Sequence, residues 1–498
     1  MYYPTLEQAA KLLDGGQYRR IPVSREILSD FTSPVRVLRT LQSVSGHCFL
    51  LESAEDNQRW GRFTFLGFHP TLEVTCANGV LRVRGGRKPY DRETVRTEQV
   101  DHPGAVLREL LSAYKSPKVP GLPPFTGGLV GYFSYDYVKY AEPSFSPDAD
   151  DSEGLQDMDL MLFDEVIAFD NYRQKLILIV NADAENLAES YGAACRRLDA
   201  MEELVRSDPP RERTRGKLLS PLRPLFDEAQ YRRMVERGKE YIREGDIFQV
   251  VLSNRLEADF EGSLLDAYRV LRDSNPSPYM FYFSGDDVEI AGASPETLVK
   301  LCDGVLRTFP LAGTRPRGDS PEEDAALERD LLSDEKELAE HNMLVDLGRN
   351  DIGKISEFGS VEVEKYLSVE RFSHVMHIGS TVRGRIRPDK DAVDAVDAIL
   401  PAGTLSGAPK LRAMEIINEL ENNKRGLYGG AVGYLDFTGN LDVCIAIRLA
   451  FKKNGKVFVR SGAGIVADSV PEKEYRECEN KAKAVVRALE TAEGGEEL

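Results

Sequence analysis

The dipeptide Asn454-Gly455 stands between two apolar runs near the end of the chain, and it constrains the fold most strongly. Asn-Gly readily adopts the left-handed backbone of a two-residue β-turn, so the flanking runs are predicted to pair as an antiparallel hairpin. In the preceding run, residues 441–451, apolar residues alternate with small residues and Arg448. We expect one continuous strand here, on which Arg448 has room to reach a ligand.

Turn and cap patterns elsewhere predict short strands mixed with helices. Helices are expected within residues 318–350, because Ser320-Pro321 and Asp334 are typical helix starts. Residues 184–216 predict a helix followed by a charged surface linker. Four segments predict buried or paired strands: residues 49–53, 61–67, 163–169 and 176–181. We therefore expect an N-terminal lobe over residues 1–220 and a second domain over residues 221–498, which carries nearly all the chemical motifs.

Length, charge and cysteine spacing exclude several classes of protein. The 498 residues are too many for one small core, and the net charge of −18 argues against broad binding to nucleic acid. No apolar run reaches membrane-spanning length, and the N-terminus does not resemble a signal peptide. The scattered cysteines indicate neither a zinc site nor a disulfide framework. We expect a cytoplasmic protein that binds neither nucleic acid nor a membrane.

Two pairs of glutamates at helical spacing are the first chemical motif. Glu337 and Glu340 stand three residues apart, as do Glu474 and Glu477, so each pair shares one face of a helix. Four inward carboxylates suit a hard divalent cation such as Mg2+. A nearby arginine and Lys481 suit an anionic substrate that the metal also binds.

Each pair also has a plain structural interpretation. Glu337 follows Asp334 by three residues and could complete a capping box at the helix start. Glu477 and Lys481 could form an exposed ion pair worth only a few tenths of a kcal/mol. For one pair alone we would favour the structural interpretation, since charged pairs on helices usually lie in solvent. Their joint occurrence with the motifs below favours a binding site.

Histidine and glycine motifs add further candidates. His374 and His377 would share a metal on a helix and would point to opposite faces of a strand, and both conformations stay open. Residues 401–410 form a Gly-rich turn at a helix start, where backbone N–H groups could bind an anion. The glycines of residues 461–465 would let a ligand approach the backbone closely.

Taken in order, these motifs resemble the chorismate-utilising enzymes and, within that family, the anthranilate synthase large subunits. The resemblance is strong over about residues 227–490 and reaches the N-terminal part at residues 50–53 and 62–67. The segments that carry it are residues 245–250, 275–281, 292–296, 310–315, 336–351, 374–377, 429–448, 462–464 and 474–481, with the loop around Thr404. It implies an α/β fold of the α+β type, a large assembly of stacked antiparallel sheets flanked by helices, as in the anthranilate and aminodeoxychorismate synthases.

The resemblance also implies a role for each motif. The implied Mg2+ ligands are Glu340 and Glu477, with Glu337 and Glu474 completing the acidic site directly or through water. The implied contacts to chorismate are Gly313, Thr314, Tyr428, Arg448 and Lys481, with the backbone of Gly462, Ala463 and Gly464.

The reaction implied by the resemblance is amination of chorismate at C2 by ammonia, followed by loss of pyruvate to give anthranilate, the first step of tryptophan biosynthesis. Glu296 resembles the general acid that protonates the departing C4 hydroxyl, which requires a raised carboxyl pKa. His377 resembles the group that removes the C2 proton. Thr404 is the third residue implied to be catalytic.

Two positions separate related activities. Gln249 stands where isochorismate and salicylate synthases carry a water-activating lysine, and Ala312 stands where many aminodeoxychorismate synthases carry a nucleophilic lysine. Both residues favour amination at C2. One alternative is an aminodeoxychorismate or 2-amino-2-deoxyisochorismate synthase, and the other is an inactive regulatory protein that binds tryptophan.

Regulation and a partner follow from the same resemblance. The implied site for inhibitory tryptophan consists of Leu50, Glu52, Ser53, Pro278, Tyr279 and Met280, for which a strand edge packed on a proline turn is the structural interpretation. No Cys/His/Glu triad of a glutamine amidotransferase is evident, so the chain alone should use free ammonia as its nitrogen source. The use of glutamine then requires a separate amidotransferase subunit, component II, and we expect the two to form a heterotetramer.

Overall fold

The computed structural model describes residues 1–54, 61–85, 93–209, 215–371 and 375–494, which fold into two large sheets flanked by helices. The α-helices of these residues are α1 (Leu6–Leu12), α2 (Pro34–Gln42), α3 (Gly104–Ala113), α4 (Val138–Ala141), α5 (Leu187–Arg206), α6 (Glu228–Glu244), α7 (Leu265–Ser274), α8 (Pro321–Ser333), α9 (Glu335–Gly353), α10 (Ala392–Ile399), α11 (Lys410–Glu421) and α12 (Pro471–Gly494). The strands before α6 are β1 (Tyr2–Tyr3), β2 (Arg20–Leu28), β3 (Cys48–Glu52), β4 (Phe63–Phe68), β5 (Leu72–Ala77), β6 (Val80–Gly85), β7 (Glu93–Gln99), β8 (Gly128–Phe133), β9 (Met158–Phe163), β10 (Glu165–Asp170), β11 (Lys175–Asp183), β12 (Lys217–Leu218) and β13 (Arg223–Pro224). The strands after α6 are β14 (Gln249–Glu261), β15 (Tyr279–Ser284), β16 (Val288–Ser294), β17 (Thr297–Cys302), β18 (Val305–Thr308), β19 (Leu311–Pro316), β20 (Glu362–Arg371), β21 (Val375–Arg385), β22 (Gly407–Ala408), β23 (Ala431–Asp436), β24 (Leu441–Ile445), β25 (Leu449–Lys453) and β26 (Lys456–Ile465).

Both sheets combine strands from the two ends of the chain. The first sheet has the order β1-β2-β11-β10-β4-β3-β15-β16-β25-β26-β14-β12, with β13 and β22 also paired to β14. The second has the order β19-β21-β18-β17-β24-β23-β8-β9-β5-β6-β7, with β20 paired to β21. Antiparallel hydrogen bonds join β3 to β15 in the first sheet and β8 to β23 in the second. The division at residue 220 stays a prediction, and backbone hydrogen bonds cross it in both sheets.

The two sheets stack face to face, and helices cover their outer faces. Aromatic side chains fill the space between the sheets, where the rings of Phe49 from β3 and Phe163 from β9 meet edge to face at 4.7 Å. Helices α2, α5, α7 and α12 pack on the first sheet, and α9 and α10 on the second. The predicted assembly of stacked antiparallel sheets flanked by helices is confirmed. No helix in the described ranges is both long and apolar enough to span a membrane.

The hairpin predicted at Asn454-Gly455 is confirmed. Lys453 pairs with Lys456 across the turn, and both turn residues have the positive φ angles, 51° and 74°, that this connection requires. The predicted helix starts are also present: the Ser320 side chain accepts a hydrogen bond at the start of α8, and that of Asp334 does so at the start of α9.

The single strand predicted over residues 441–451 is wrong. Strand β24 ends at Ile445 in the second sheet, and β25 begins at Leu449 in the first, so the chain crosses from one sheet to the other between them. The crossing contains Arg448, whose φ of 50° is unusual for a residue other than glycine. Apolar alternation continues through this crossing because the residues on both sides are buried, and alternation alone does not reveal the break.

Candidate active site

A cavity of about 630 Å³ opens where β14 and β26 of the first sheet face β19 and β21 of the second, beside α9 and α12. Every residue predicted to act in catalysis or to bind substrate or metal lines this cavity, except Ala463. The predicted residues that line it are Glu296, Gly313, Thr314, Glu337, Glu340, His377, Thr404, Tyr428, Arg448, Gly462, Gly464, Glu474, Glu477 and Lys481. Predicted residues as far apart in the chain as Glu296 and Lys481 therefore meet at one place.

Ala463 lies on β26 between the two glycines, but its side chain is fully buried on the opposite face of the strand. There it packs in a cluster with Tyr231 and Ile416. Residues 461–465 belong to an extended strand, so alternate residues face opposite ways, and the predicted run of three neighbouring cavity residues is split. Gly462 and Gly464 remain on the cavity side, where the Tyr428 hydroxyl oxygen lies 2.7 Å from the position that a Cβ on Gly462 would occupy.

Glu296 lies in the short segment that joins β16 of the first sheet to β17 of the second. Its backbone carbonyl accepts a hydrogen bond of 2.9 Å from Ile445 N–H, and the Thr404 hydroxyl donates to its carboxyl oxygen Oε1 at 3.2 Å. Burial raises the pKa of this carboxyl to about 7, although the Thr404 hydrogen bond and the positive charges of Arg448 and Lys481 oppose the shift. Near neutral pH a large fraction of Glu296 therefore carries a proton.

His377 lies on β21, as the strand interpretation expects, while His374 falls outside the described residues. Its Nδ1 lies 2.8 Å from the backbone carbonyl of Gly313 and 3.1 Å from the Thr314 hydroxyl. A carbonyl only accepts, so Nδ1 carries the proton and Nε2 is left to accept one. Burial lowers the pKa of His377, which keeps the ring neutral at neutral pH.

A β-bulge at Gly313 brings its carbonyl to the histidine. The pairing of β19 with β21 shifts register between Ala312 and Thr314, and Gly313 has a φ of 67°. A Cβ at this position would lie 3.0 Å from Leu331 and 3.2 Å from Glu337. The positive φ angle therefore favours glycine here, and a larger residue would also have to displace the side chains of Leu331 and Glu337 by a few tenths of an ångström.

Arg448 is the principal cation of the cavity wall. Its backbone carbonyl accepts a hydrogen bond of 3.1 Å from Ala293 N–H, which fixes the crossing between β24 and β25. Burial lowers the pKa of the guanidinium, and the nearby Glu296 opposes this shift. Among the described residues, no carboxylate lies within ion-pairing distance of Arg448. A partly buried arginine of this kind is suited to an anionic ligand.

The four glutamates come from two helices on opposite sides of the cavity. Glu337 and Glu340 lie in the first turns of α9, and Glu474 and Glu477 lie in those of α12. Asp334 caps α9 by accepting from the backbone N–H of Glu337, while the Glu337 side chain lines the cavity with its Oε1 3.7 Å from Arg315. The Glu337 side chain therefore lies at the cavity, which differs from its structural interpretation as a member of a capping box.

Glu477 and Lys481 form the i,i+4 ion pair of the structural interpretation, with 2.7 Å between carboxylate and ammonium, and both also line the cavity. The Lys481 ammonium donates a further hydrogen bond of 3.1 Å to the carbonyl of Gly462. The pair therefore stabilises α12 and also places a cation at the cavity wall.

The acidic groups fit a hard cation in kind. Burial raises the pKa of Glu340, to which the charges of Glu337 and Glu477 add, and burial together with Glu477 raises that of Glu474. A divalent cation would offset this repulsion. No three of the four glutamates place their ligand atoms within 4.8 Å of one another. Mg2+ usually keeps several water ligands and binds through one or two carboxylates, so it does not require three of these glutamates to meet.

Four polar residues without a predicted role line the cavity: Lys336, Arg460, Ser461 and Ser469. Arg460 shares the strand parity of Gly462 and Gly464, so alternation along β26 would have revealed it. Lys336 directly precedes Glu337. Gln249 and Ala312, the two residues used to separate related activities, also line the cavity.

A second cavity, of about 130 Å³, lies between the same two sheets, lined by residues of β3, β4 and β15 from the first and of β17, β23 and β24 from the second. The residues predicted for tryptophan that line it are Glu52, Ser53, Pro278, Tyr279 and Met280. Leu50 does not line it, because its side chain is fully buried on the other face of β3, in the cluster under the outer helices. Leu51 lines the cavity in its place.

The charged groups around the second cavity are already paired. The Tyr279 hydroxyl donates to Asp442 at 2.8 Å, and the Lys300 ammonium donates to the other oxygen of that carboxylate at 2.7 Å. The carboxylate of Glu52 lies on the same face of β3 as Leu50, where it accepts from Arg272 of α7 at 2.7 Å and from the hydroxyl of Tyr268. The remaining wall is largely apolar and includes the rings of Phe63, Phe65 and Phe281, which suits a planar apolar group with a polar end.

Known proteins resemble this chain over nearly its whole length. The profile of the family described as chorismate binding enzyme matches residues 46–487. Anthranilate synthase component 1 of Acetivibrio thermocellus is 44% identical over 501 residues, which cover 99% of either chain. The protein of the same name from Pseudomonas aeruginosa (strain PAO1) is 47% identical over 485 residues, 96% of either chain. The crystal structure of anthranilate synthase component I from Streptococcus pneumoniae TIGR4 superposes with a TM-score of 0.75 at 42% identity, covering 86% of this chain and 92% of that one.

Proposed function

The chain belongs to the chorismate binding enzymes, and from that premise we propose that it converts chorismate and ammonia to anthranilate, pyruvate and water in a reaction that requires Mg2+. One observation carries the proposal. A carboxyl group with a raised pKa at Glu296, an imidazole with a lowered pKa at His377 and a partly buried cation at Arg448 line the same cavity as two pairs of glutamates. The names of the relatives, anthranilate synthase component 1, support the same reaction.

Chorismate is a dianion, and the cationic side chains of the cavity match its charges. Arg448 and Tyr428 would bind the carboxylate of the enolpyruvyl group, with the backbone N–H groups near Gly462 and Gly464 beside them. Lys481 already contacts the Gly462 carbonyl and adds positive charge on that side. Buried charge-assisted hydrogen bonds of this kind are about twice as strong as neutral ones.

The ring carboxylate would bind through the metal. Glu340 and Glu477 are the ligands we assign to Mg2+, and Glu337 and Glu474 would complete the site directly or through water. When bound, the metal supplies charge neutralisation and orients the ring as a Lewis acid. The pKa values of Glu340 on α9 and Glu474 on α12, raised by burial and by the charge of Glu477, support a cation at this place.

Amination is the first step. Ammonia attacks C2, the ring double bonds shift, and the C4 hydroxyl leaves. Hydroxide is a poor leaving group, so Glu296 donates its proton and the group leaves as water. The Thr404 hydroxyl, at 3.2 Å from the Glu296 carboxyl, orients the acid and stabilises the carboxylate that forms.

Aromatisation is the second step. His377 removes the proton at C2 through Nε2, because Nδ1–H is held by the Gly313 carbonyl. The bond from the ring to the enolpyruvyl oxygen then breaks, and the enolpyruvyl group leaves as pyruvate after protonation of its methylene carbon. The gain of aromaticity drives this step.

We further propose that tryptophan binds in the second cavity and inhibits the reaction. Its indole would lie against the aromatic wall near Pro278 and Met280, and its amino group would bind near Glu52 and Ser53. The designation component 1 in the names of the relatives supports a second component, which we take to be the glutamine amidotransferase that supplies ammonia in a heterotetramer.

Product analysis tests the proposed reaction. Purified chain is incubated with chorismate and ammonium, with and without Mg2+, and the products are separated. We expect fluorescent anthranilate and pyruvate in equal amounts, only when Mg2+ is present. Accumulation of an aminodeoxychorismate without pyruvate would assign the chain to the alternative activity. Absence of turnover would favour the inactive tryptophan-binding alternative.

A further inference from the structure

A buried arginine behind the cavity connects three of its walls, although it does not itself line the cavity. Arg425 is 2% exposed, and its guanidinium makes four hydrogen bonds of 2.5–2.9 Å. Two go to the carboxylate of Glu421, one to the carbonyl of Leu405 and one to the carbonyl of Val251. Leu405 directly follows Thr404, and Val251 lies on the cavity side of β14.

Glu421 extends this connection to β26. It is 2% exposed and accepts from Arg425, from both the backbone and the hydroxyl of Ser253 on β14, and from Arg460 at 3.1 Å. Arg460 lies two residues before Gly462 and lines the cavity itself. The Arg425 guanidinium also stacks on the ring of Tyr428, at 5.6 Å.

The four bonds of Arg425 use the planar fork of a guanidinium. A lysine would keep the positive charge but could not reach Glu421, Leu405 and Val251 with the same geometry. The charge of the cluster is balanced for Arg425 and Glu421, while Arg460 keeps one positive charge at the cavity. A change from arginine to lysine therefore tests geometry separately from charge.

We propose that Arg425 is a positioning residue for the reaction proposed above: it fixes the loop that contains Thr404, so that the Thr404 hydroxyl stays directed at the carboxyl of Glu296. The role rests on the proposed function, because Glu296 is the acid of that reaction. The other groups that act on the Glu296 carboxyl are the charges of Arg448 and Lys481, and neither contacts Arg425.

The consequence is a defined change in the titration of Glu296. A hydroxyl that donates to a carboxylate stabilises its ionised form, so loss of the Thr404 hydrogen bond raises the carboxyl pKa. We expect Thr404→Val to raise it by about 0.5 to 1 unit. Arg425→Lys should shift it in the same direction, and the double variant should resemble the single variants because both act on one hydrogen bond.

Infrared difference titration of the free protein measures this pKa, with Glu296→Gln as the blank. The matched control is Arg255→Lys, which changes an arginine on β14 that is 5% exposed, is paired with Glu153 and does not line the cavity. It should leave the Glu296 titration unchanged. In turnover assays, Arg425→Lys and Thr404→Val should each lower kcat and move the falling limb of the pH profile to higher pH. KM should change little in either variant.

Three results would overturn the proposal: a wild-type Glu296 pKa in Arg425→Lys, an unchanged pKa in Thr404→Val, or full addition of the two shifts in the double variant. If Arg425→Lys does not fold by circular dichroism, Glu421→Gln replaces it and should give a smaller shift in the same direction. An unchanged pKa in that variant would also overturn the proposal. The titration needs no turnover, so a failure of the proposed reaction is detected separately by the product assay.

Discussion

The two cavities lie between the same pair of sheets and differ in how their charges are satisfied. In the first cavity, Arg448 has no carboxylate partner among the described residues, and the pKa values of Glu296 and Glu340 are raised. At the second cavity, Lys300 is paired with Asp442, while the carboxylate of Glu52 is directed away from the cavity to Arg272 of α7. Among the described residues, the first cavity thus includes a cation without an ion-pair partner, Arg448, beside the paired Glu477 and Lys481. The charged residues at the second cavity are paired.

This difference indicates what each cavity is suited to do. Uncompensated buried charge is costly unless a ligand of opposite charge binds, and groups with shifted pKa values are those that transfer protons. A cavity with paired charges and an aromatic wall selects its ligand by shape and offers no group for proton transfer. The comparison supports chemistry in the first cavity and regulation in the second.

Among the substitutions that test this comparison, the largest effect is expected for Glu296→Gln. Replacement by glutamine keeps the size of the side chain but removes the proton donor, so kcat should fall by about 10²- to 10⁴-fold. Steady-state assays of anthranilate fluorescence measure this. Glu289→Gln is the control, because Glu289 is buried on β16 and lines neither cavity. Retention of most activity in Glu296→Gln would remove this residue from the mechanism.

A smaller effect is expected at Arg448, the unpaired cation. Arg448→Lys keeps the charge but loses the planar pair of donors, and the KM for chorismate should rise roughly 10- to 100-fold. The measurement is kcat and KM over a range of chorismate concentrations. Lys300→Arg, at the paired cation of the second cavity, should leave KM unchanged. An unaltered KM in Arg448→Lys would mean that the substrate carboxylate binds elsewhere.

The second cavity is tested by a bulky residue at Ser53. Ser53→Phe would fill part of a space of only about 130 Å³, so the inhibition constant for tryptophan should rise about tenfold or more. Turnover without tryptophan should stay close to that of the wild type. Ser112→Phe, at an exposed position of α3, serves as control. Undiminished inhibition in Ser53→Phe would place the inhibitor outside this cavity.

The smallest effect is a shift along the pH axis. The acid must be protonated, so kcat/KM should fall as pH rises through the Glu296 pKa of about 7. Bound chorismate adds negative charge beside the acid, which raises the pKa further, so the same limb of kcat should lie at higher pH. Profiles of both constants between pH 5 and 9 check this. A kcat limb at lower pH than that of kcat/KM would contradict it.

Local patterns predicted much of this fold, because turn and cap residues act over short distances. Asn454-Gly455 specified its hairpin, and Ser320 and Asp334 specified two helix starts. The crossing at Arg448 was not predictable from alternation, since the strand before it and the strand after it are both buried. Only the pairing of β24 with the second sheet and of β25 with the first reveals it.

The candidate site was predictable through its motifs, and the errors in it concern which way a side chain points. Ala463 and Leu50 lie within correctly located motifs but on the opposite faces of their strands. Side chains alternate along a strand, so a motif listed as consecutive residues includes a neighbour that faces away. Arg425 escaped notice for another reason: it acts from behind the cavity through backbone carbonyls, and those partners leave no trace in the sequence.

We assign catalysis to the first cavity and regulation to the second. A crystal structure of the Glu296→Gln protein with chorismate, Mg2+ and tryptophan tests this assignment most directly. We predict chorismate in the first cavity, with one carboxylate at Arg448 and the other at a metal held by Glu340 and Glu477, and tryptophan in the second cavity beside Ser53. Tryptophan in the first cavity, or chorismate bound away from both Arg448 and the glutamates, would contradict it.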